Sequence, residues 1–306
     1  MNTKAFVSEI LLIIATIIWG LGFTFQSIGG KTIDVFSITF FRNIIAATFI
    51  GLIVLGMFIY RKYKHIEQND DKKSTLIGGC LIGVSLVVSM ILQQIGINIE
   101  GVGKSGFITA LYVVFVPIAS LFFGKKLNVY VVIAIVFALT GLYLVNVTEN
   151  QFKISWGTVS LIACSLTYTA QIMLIDHYSK KCDVFKLAFV QFLTAAIISL
   201  PLMFIFGNPN IESIKDSLPA ILYLGIGSSG IAFTLQMITQ KNVNVTVLSI
   251  TMSLESVFAI IFALIILHEK HTYLQYIGCG TIFVAVILSQ LTPKKKLHES
   301  NQKDIQ

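Results

Sequence analysis

Apolar residues occur in ten long stretches along this chain, separated by short polar or charged segments. Each stretch approaches or exceeds the roughly 20 residues that an α-helix needs to cross about 30 Å of hydrocarbon. The pattern therefore predicts an all-α membrane protein with ten transmembrane helices. The predicted spans are Ile10–Ile28, Val35–Tyr60, Leu76–Ile97, Val102–Phe123, Val129–Val147, Trp156–Ile175, Phe185–Phe206, Leu218–Ile238, Val243–Leu267 and Tyr273–Leu291.

Basic residues follow this pattern, because they fall mainly on alternate loops. Apart from Arg42, which lies deep inside a predicted span, 16 of the 21 Lys and Arg residues lie on the side that holds both termini. Lys and Arg are retained on the cytoplasmic side of a membrane. We therefore predict a multi-pass protein of the cell (plasma) membrane whose N- and C-termini are both cytoplasmic.

Composition agrees with a chain whose main partner is the lipid bilayer. The sequence is 55% hydrophobic and 12% charged, whereas soluble domains carry about 25% charged residues. The net charge of +7 is divided among short loops, so it indicates orientation and not a nucleic-acid partner. The four cysteines show no CxxC or Cys/His spacing. No metal site and no cofactor are expected.

The two halves of the chain resemble each other weakly. Matching positions recur at offsets of 149 or 143 residues: Trp19 with Tyr168, Arg42 with Gln191, Gln93 with Gln236, and Tyr112 with Glu255. Each half holds five spans, so the second copy must enter the membrane upside down. Inverted repeats are typical of secondary transporters, which bind their substrate near the midplane between the halves. We predict two inverted five-helix repeats, residues 1–150 and 151–293, followed by a basic cytoplasmic tail, residues 294–306.

Short motifs in both halves resemble a known family. In the first half they are Ile18-Trp19-Gly20, Arg42, Gln93 and the run from Gly103 to Pro117; in the second half they are Gly225–Gln236, Leu254–Ala259 and His268-Glu269-Lys270. Together they resemble the two EamA repeats of the drug/metabolite transporter superfamily. In this chain Ser256 replaces a frequent proline, His268 replaces a frequent glycine, and Lys125 replaces a usual acid.

The resemblance implies ten helices around a central cavity and transport of small metabolites such as amino acids, or of drugs. Export is common in the family, and uptake and exchange are also known. Since no ATP motif is credible, the expected drive is a proton or solute counter-gradient, with alternating access at the cavity. The expected functional unit is a monomer or a homodimer. Two other classes compete with a transporter: an intramembrane enzyme, such as a lipid-modifying transferase using Glu255, and a non-transporting receptor or channel subunit. The sequence shows no catalytic histidine or metal-ligand set for an enzyme and no ligand-binding domain for a receptor. We therefore do not expect an enzyme.

Two charged residues, Arg42 and Glu255, lie well inside predicted spans. A charge inside the hydrocarbon core costs free energy, so each of the two residues is a candidate functional residue. Two interpretations stay open: an ion pair that locks two helices, or handling of substrate or protons by Glu255.

Polar and aromatic residues near mid-span form the predicted substrate site. Lipid disfavours amides, which should therefore face a cavity or a neighbouring helix. The predicted binding residues are Trp19, Tyr112, Tyr168, Glu255, Gln93, Gln94, Gln171 and Gln236.

Two glycine motifs are interpreted as packing features. Gly101–Gly106 spells GxGxxG but begins a membrane helix instead of following a strand, as a nucleotide site requires. Gly227-Ser228-Ser229-Gly230 resembles a serine nucleophile motif, yet all five histidines lie in loops or the tail. A nucleophilic serine needs a base within hydrogen-bond reach, so small residues that let helices approach are the better interpretation.

Overall fold

Every regular element that the structure describes is helical. The structure is a computed structural model that describes residues 3–66, 71–124, 127–146, 154–268 and 272–290. The helices are α1 (Thr3–Gly29), α2 (Val35–Tyr63), α3 (Lys72–Thr109), α4 (Tyr112–Phe122), α5 (Val129–Asn146), α6 (Trp156–Tyr178), α7 (Val184–Phe206), α8 (Ile211–Asp216), α9 (Leu218–Leu222), the π-helix π1 (Tyr223–Phe233), α10 (Thr234–Gln240), α11 (Val245–Met252), α12 (Leu254–Ile266) and α13 (Tyr273–Gln290). The all-α prediction is confirmed, and the predicted tail 294–306 lies outside the described residues.

Eight helical segments in the described ranges are long and apolar enough to cross a membrane. The predicted third and fourth spans lie together in one of them, Lys72–Phe122, and the predicted fifth span is a shorter apolar helix, Val129–Leu144. Many large apolar side chains are exposed on the outside of the bundle, among them Leu52, Phe122 and Tyr273. Such a surface is stable in hydrocarbon and not in water. The chain is therefore a multi-pass membrane protein.

Aspartates start the helices at matching positions of the two halves. Asp34 accepts hydrogen bonds from the backbone N–H groups that open α2, and Asp183 does the same for α7. These bonds satisfy N–H groups that have no partner inside the helix. At the start of α3, hydrogen bonds from the Ser74 side chain and backbone lower the pKa of Asp71. Asp34 and Asp183, which are 149 residues apart, are therefore helix caps at matching positions.

The helices are interrupted at four places. Gly101 breaks α3 with φ of +78°, a conformation that glycine adopts without steric cost. Two milder helix breaks lie at Ala110–Leu111, between α3 and α4, and at Ser253, between α11 and α12. There the backbone stays in the right-handed helical region, but i→i−3 hydrogen bonds replace part of the α-helical pattern. The fourth interruption is π1, an eleven-residue π-helix. Such interruptions are typical of functional positions in membrane helices. The predicted spans Leu218–Ile238 and Val243–Leu267 are thus composite.

Gly20 lets α1 approach α12 closely. A Cβ added there would lie 2.4 Å from Phe258 Cβ and 2.8 Å from the backbone nitrogen of Ala259. At Gly56 on α2, by contrast, no atom of the described residues outside the helix's own backbone lies within 4 Å of an added Cβ.

We expect Gly20→Ala to lower the free energy of unfolding by about 1–3 kcal/mol, because backbone atoms of α12 must move. The matched change Gly56→Ala should leave stability unchanged or slightly raised. Thermal unfolding of both variants in the same detergent tests this, and equal melting temperatures would contradict the close packing described above.

Candidate functional site

A cavity of about 40 Å³ lies inside the bundle and brings together most of the predicted binding residues. Six of the eight predicted residues line it, together with Arg42: Trp19, Gln93, Tyr112, Tyr168, Gln171 and Glu255. The predicted convergence of residues from both halves is therefore present in the structure. Their role in binding stays a prediction.

Tyr112 and Glu255 join two of the interrupted helices. The Tyr112 hydroxyl donates a hydrogen bond of 2.7 Å to Glu255 Oε1, and both side chains are buried. Tyr112 is the first residue of α4 and Glu255 lies in the first turn of α12. The carboxylate is therefore held where two helix breaks meet.

Arg42 donates to neutral oxygens. Its Nε donates to Ser229 Oγ (3.2 Å), Nη1 to Gln26 Oε1 (3.1 Å) and Nη2 to Ser228 Oγ (3.2 Å). Arg42 as a whole is 4% exposed, and in the described residues no carboxylate oxygen lies within 4.0 Å of its guanidinium nitrogens. Its positive charge is thus hydrogen-bonded but not neutralised.

The ion pair that the sequence left open as one alternative is not formed in this structure. Arg42 is held by α1 and π1, whereas Glu255 accepts from Tyr112. The guanidinium and the carboxylate each form hydrogen bonds to uncharged side chains on neighbouring helices. Both nevertheless line the same cavity.

Aromatic rings form much of the remaining wall. The Trp19 ring meets Phe233 edge to face, with centroids 5.0 Å apart, and its Nε1 donates to the Ser228 carbonyl at 3.1 Å. Tyr168 Oη donates to Gln93 Oε1 at 3.4 Å. The rings supply apolar contact area, and their faces attract cations.

The Gly227–Gly230 motif has a structural explanation here. Ser228 and Ser229 supply two of the three oxygens that accept from Arg42. At Gly230, an added Cβ would lie 2.7 Å from Phe49 Cδ1, so the glycine permits close contact between π1 and α2. The motif therefore positions an arginine, in addition to the packing role predicted from the sequence.

The Gly101–Gly106 motif begins at the kink in α3, and its residues after Gly101 are helical. Lys104 Nζ lies 2.7 Å from Glu100 Oε2, and Glu100 Oε1 accepts from Thr158 Oγ1 at 2.7 Å and from Ser155 Oγ. The lysine is engaged by a carboxylate, which links the first half of the chain to the start of α6. Close packing is not seen at Gly101 or Gly106: no atom of the described residues outside the helix's own backbone lies within 4 Å of a Cβ added at Gly101, and Ser256 Oγ lies 3.6 Å from one added at Gly106.

Two predicted binding residues do not line the cavity. Gln94 Nε2 donates to the Gln26 carbonyl (3.1 Å) and to Asn98 Oδ1 (2.9 Å). Gln236 is fully buried on α10, and neither polar atom of its amide has a hydrogen-bond partner in the described part of the chain. The side-chain amide atoms of Gln171 on α6 and Gln191 on α7 likewise have no hydrogen-bond partner in the described residues.

Sequence reasoning missed six lining residues as binding candidates, although Gln26 was an obvious buried amide. They are Phe23, Gln26, Thr109, Ser228, Phe233 and Met252. Four of them lie three or four positions from a predicted binding residue: Phe23 from Trp19, Thr109 from Tyr112, Met252 from Glu255, and Phe233 from Gln236. Residues at that spacing share a helix face, and this signal identifies them.

We expect Gln236→Leu to raise the melting temperature, because an unpaired buried amide costs about 1–3 kcal/mol. Gln94→Leu, the matched control, should lower it, because this change removes two hydrogen bonds. Thermal unfolding measures both variants. Transport by Gln236→Leu at the wild-type rate would contradict the binding role predicted for that glutamine.

Comparisons with known proteins agree with this architecture. The EamA-like transporter family matches residues 7–147 and 155–291. A protein of Archaeoglobus fulgidus, described as an uncharacterized transporter, is 27% identical over 291 residues, covering 95% of this chain and 88% of that protein. The uncharacterized transporter YoaV of Bacillus subtilis is 23% identical over 289 residues, covering 92% of this chain and 96% of that protein.

One solved structure, titled only as a crystal structure of a protein, shares the fold. It superimposes with a TM-score of 0.74 at 16% identity and covers 95% of this chain and 98% of its own. The family match extends over both halves of the chain, and the relatives of similar length are named as transporters. The chain is therefore a membrane transporter that belongs to the EamA-like transporter family.

Proposed function

We propose that this protein is a secondary transporter that exports small zwitterionic metabolites, with amino acids as the substrate class. The observation that carries the proposal is the cavity lined by one cation, Arg42, and one carboxylate, Glu255, that do not pair with each other. A substrate carboxylate at Arg42 and a substrate ammonium at Glu255 would neutralise both charges. Charge-assisted hydrogen bonds of this kind are about twice as strong as neutral ones.

Amphipathic cationic drugs are the second substrate class that the sequence allowed. Such a drug would use Glu255 and the aromatic rings of Trp19 and Tyr168, but it would leave Arg42 without an anion. A desolvated charge with no counter-charge is costly. Amino acids therefore fit the lining better.

Alternating access is supported by the size of the cavity. About 40 Å³ holds about three water molecules, whereas sites for small molecules measure about 300–1,000 Å³. Helices must separate to admit a metabolite. The breaks at Ala110–Leu111 and at Ser253 adjoin Tyr112 and Glu255, and we propose that they serve as hinges.

The same breaks support the division into two inverted repeats, residues 1–150 and 151–293. Ala110 and Ser253 are related by the offset of 143 residues that also relates Tyr112 to Glu255. In transporters built from inverted repeats, discontinuous helices meet at the substrate. We propose that the halves rock about this site and that a proton or solute gradient drives the movement.

Transport in proteoliposomes tests the proposal. Amino acids should move at least about tenfold faster than analogues that lack either the carboxylate or the ammonium group, because each loss leaves one buried charge unpaired. Tyr168→Ala should impair amino-acid transport through loss of aromatic contact. Equal rates for amino acids and both analogues would contradict a zwitterionic substrate.

The proposed orientation has its own test, in intact cells that express a cysteine-free variant. A cysteine introduced at Lys64 should resist an impermeant thiol reagent, whereas one at Asn208 should react, because both positions are exposed at opposite ends of the bundle. Both should react after detergent treatment. The reverse pattern in intact cells would place the termini outside.

A further inference from the structure

Gln171 is an amide in the wall of the central cavity that the described residues leave unbound. It lies on α6, is 1% exposed, and lines the cavity. Neither its Nε2 nor its Oε1 has a hydrogen-bond partner in the described residues. The other two amides of the lining differ, because Gln26 Oε1 accepts from Arg42 and Gln93 Oε1 accepts from Tyr168. Gln171 therefore offers both a donor and an acceptor to a substrate.

The position of Gln171 distinguishes it from an amide that is merely buried. A buried amide without a partner destabilises a protein, and native structures contain few of them. Gln191 on α7 is also unpartnered in the described residues, but it does not line the cavity. A molecule in the cavity can satisfy the amide of Gln171 and not that of Gln191. The cost of leaving Gln171 unpaired is thus recovered when a substrate binds.

Three helices present polar groups to the same cavity. Arg42 lies on α2, Glu255 on α12 and Gln171 on α6. The proposed function assigns the substrate carboxylate to Arg42 and the substrate ammonium to Glu255. Gln171 is then available for the third polar group of an amino acid, which is its side chain.

The chemistry of the Gln171 amide restricts that side chain. An amide carries one acceptor oxygen and two N–H donors, so it pairs fully only with a group that both accepts and donates. A side-chain carboxylate accepts but does not donate, and an ammonium donates but does not accept. Either would also bring a further charge into the cavity. An uncharged carboxamide matches both functions of Gln171 at once.

We propose that Gln171 determines specificity and selects amino acids whose side chain ends in a carboxamide. This inference rests on the proposed function, in which amino acids are the substrates, and adds the class of side chain. A site built to bind a polar group of its substrate strongly rejects an analogue that lacks the group, because the groups of the site are then left unpaired.

Asparagine and leucine provide the test, since their side chains have the same branching and nearly the same size. Wild-type protein in proteoliposomes should transport asparagine at least about tenfold faster than leucine. Aspartate, which cannot donate from its side chain, should also be slower than asparagine. Gln171→Met keeps the length of the side chain but removes both polar groups, so the ratio of asparagine to leucine transport should fall to about one. The matched control Gln191→Met removes an unpartnered amide outside the cavity and should keep the wild-type ratio.

Failure of this inference differs from failure of the proposed function. Equal wild-type rates for asparagine and leucine would overturn the role of Gln171, even if both move faster than their decarboxylated analogues. If those analogues move as fast as the amino acids, the proposed function fails and this inference fails with it. Equal losses of asparagine and leucine transport in Gln171→Met would mean that the amide supports the helices or binds water.

Binding to the wild type decides the matter if Gln171→Met does not fold. A ligand that binds only the folded protein raises the melting temperature according to its affinity. Asparagine should therefore stabilise the detergent-solubilised wild type more than leucine does at the same concentration. Equal stabilisation by the two amino acids would overturn the proposal.

Discussion

Glu255→Gln is expected to reduce amino-acid transport about tenfold or more while leaving the protein folded. The amide keeps the shape of the side chain, and its oxygen still accepts from the Tyr112 hydroxyl, which lies 2.7 Å from Oε1 in the wild type. It cannot neutralise a substrate ammonium, and a hydrogen bond to a charged group contributes about 1.5–3 kcal/mol. Initial rates in proteoliposomes and thermal unfolding in detergent measure the two effects.

Two further variants distinguish a chemical role of Glu255 from a structural one. Tyr112→Phe removes the hydroxyl but keeps the carboxylate, so it should transport better than Glu255→Gln. Adding Arg42→Gln to Glu255→Gln should not restore transport, because the two residues bind different partners. Full activity of that double variant would falsify a direct role for Glu255.

Arg42→Met is expected to remove the preference for substrates that carry a carboxylate. Methionine fills much of the space without charge, so amino-acid transport should fall about tenfold or more. Amine analogues that lack the carboxylate should be affected much less. Stability should change little, because the three lost hydrogen bonds to Gln26, Ser228 and Ser229 are offset by removal of a desolvated cation.

Arg42→Lys is the matched control, since it keeps the charge but lacks the planar fork that binds a carboxylate through two hydrogen bonds. Its transport rate should lie between those of the wild type and Arg42→Met. Rates are measured for one amino acid and its decarboxylated analogue in the same vesicles. If Arg42→Met slows both compounds equally, Arg42 supports the helices and does not select the substrate.

Neighbouring residues show where prediction of the candidate site from the sequence ends. Gln93 and Gln94 are chemically identical, and both were predicted to bind substrate. Successive residues on an α-helix point about 100° apart, so one faces the cavity while the other donates to Gln26 and Asn98. Only the rotation of α3 against its neighbours distinguishes them.

The partners of Arg42 show a second limit. The arginine is visible in the sequence because a charge inside an apolar span is rare. Ser228 and Ser229 follow it by 186 and 187 residues, and in the sequence they belong to a small-residue motif that indicates packing. Their hydrogen bonds depend on the approach of π1 to α2, which Gly225 and Gly230 permit.

The sequence by itself determined the all-helical membrane architecture, the family, and the chemistry of the cavity residues. It could do so because hydrocarbon accepts few polar groups, so each buried polar or charged residue stands out along the chain. Tertiary structure alone decided that Arg42 and Glu255 do not pair, that the helices break beside Tyr112 and Glu255, and that the cavity is small. These features depend on how helices that are distant in sequence pack and form hydrogen bonds. Hydropathy is a local property of the sequence and does not determine that packing.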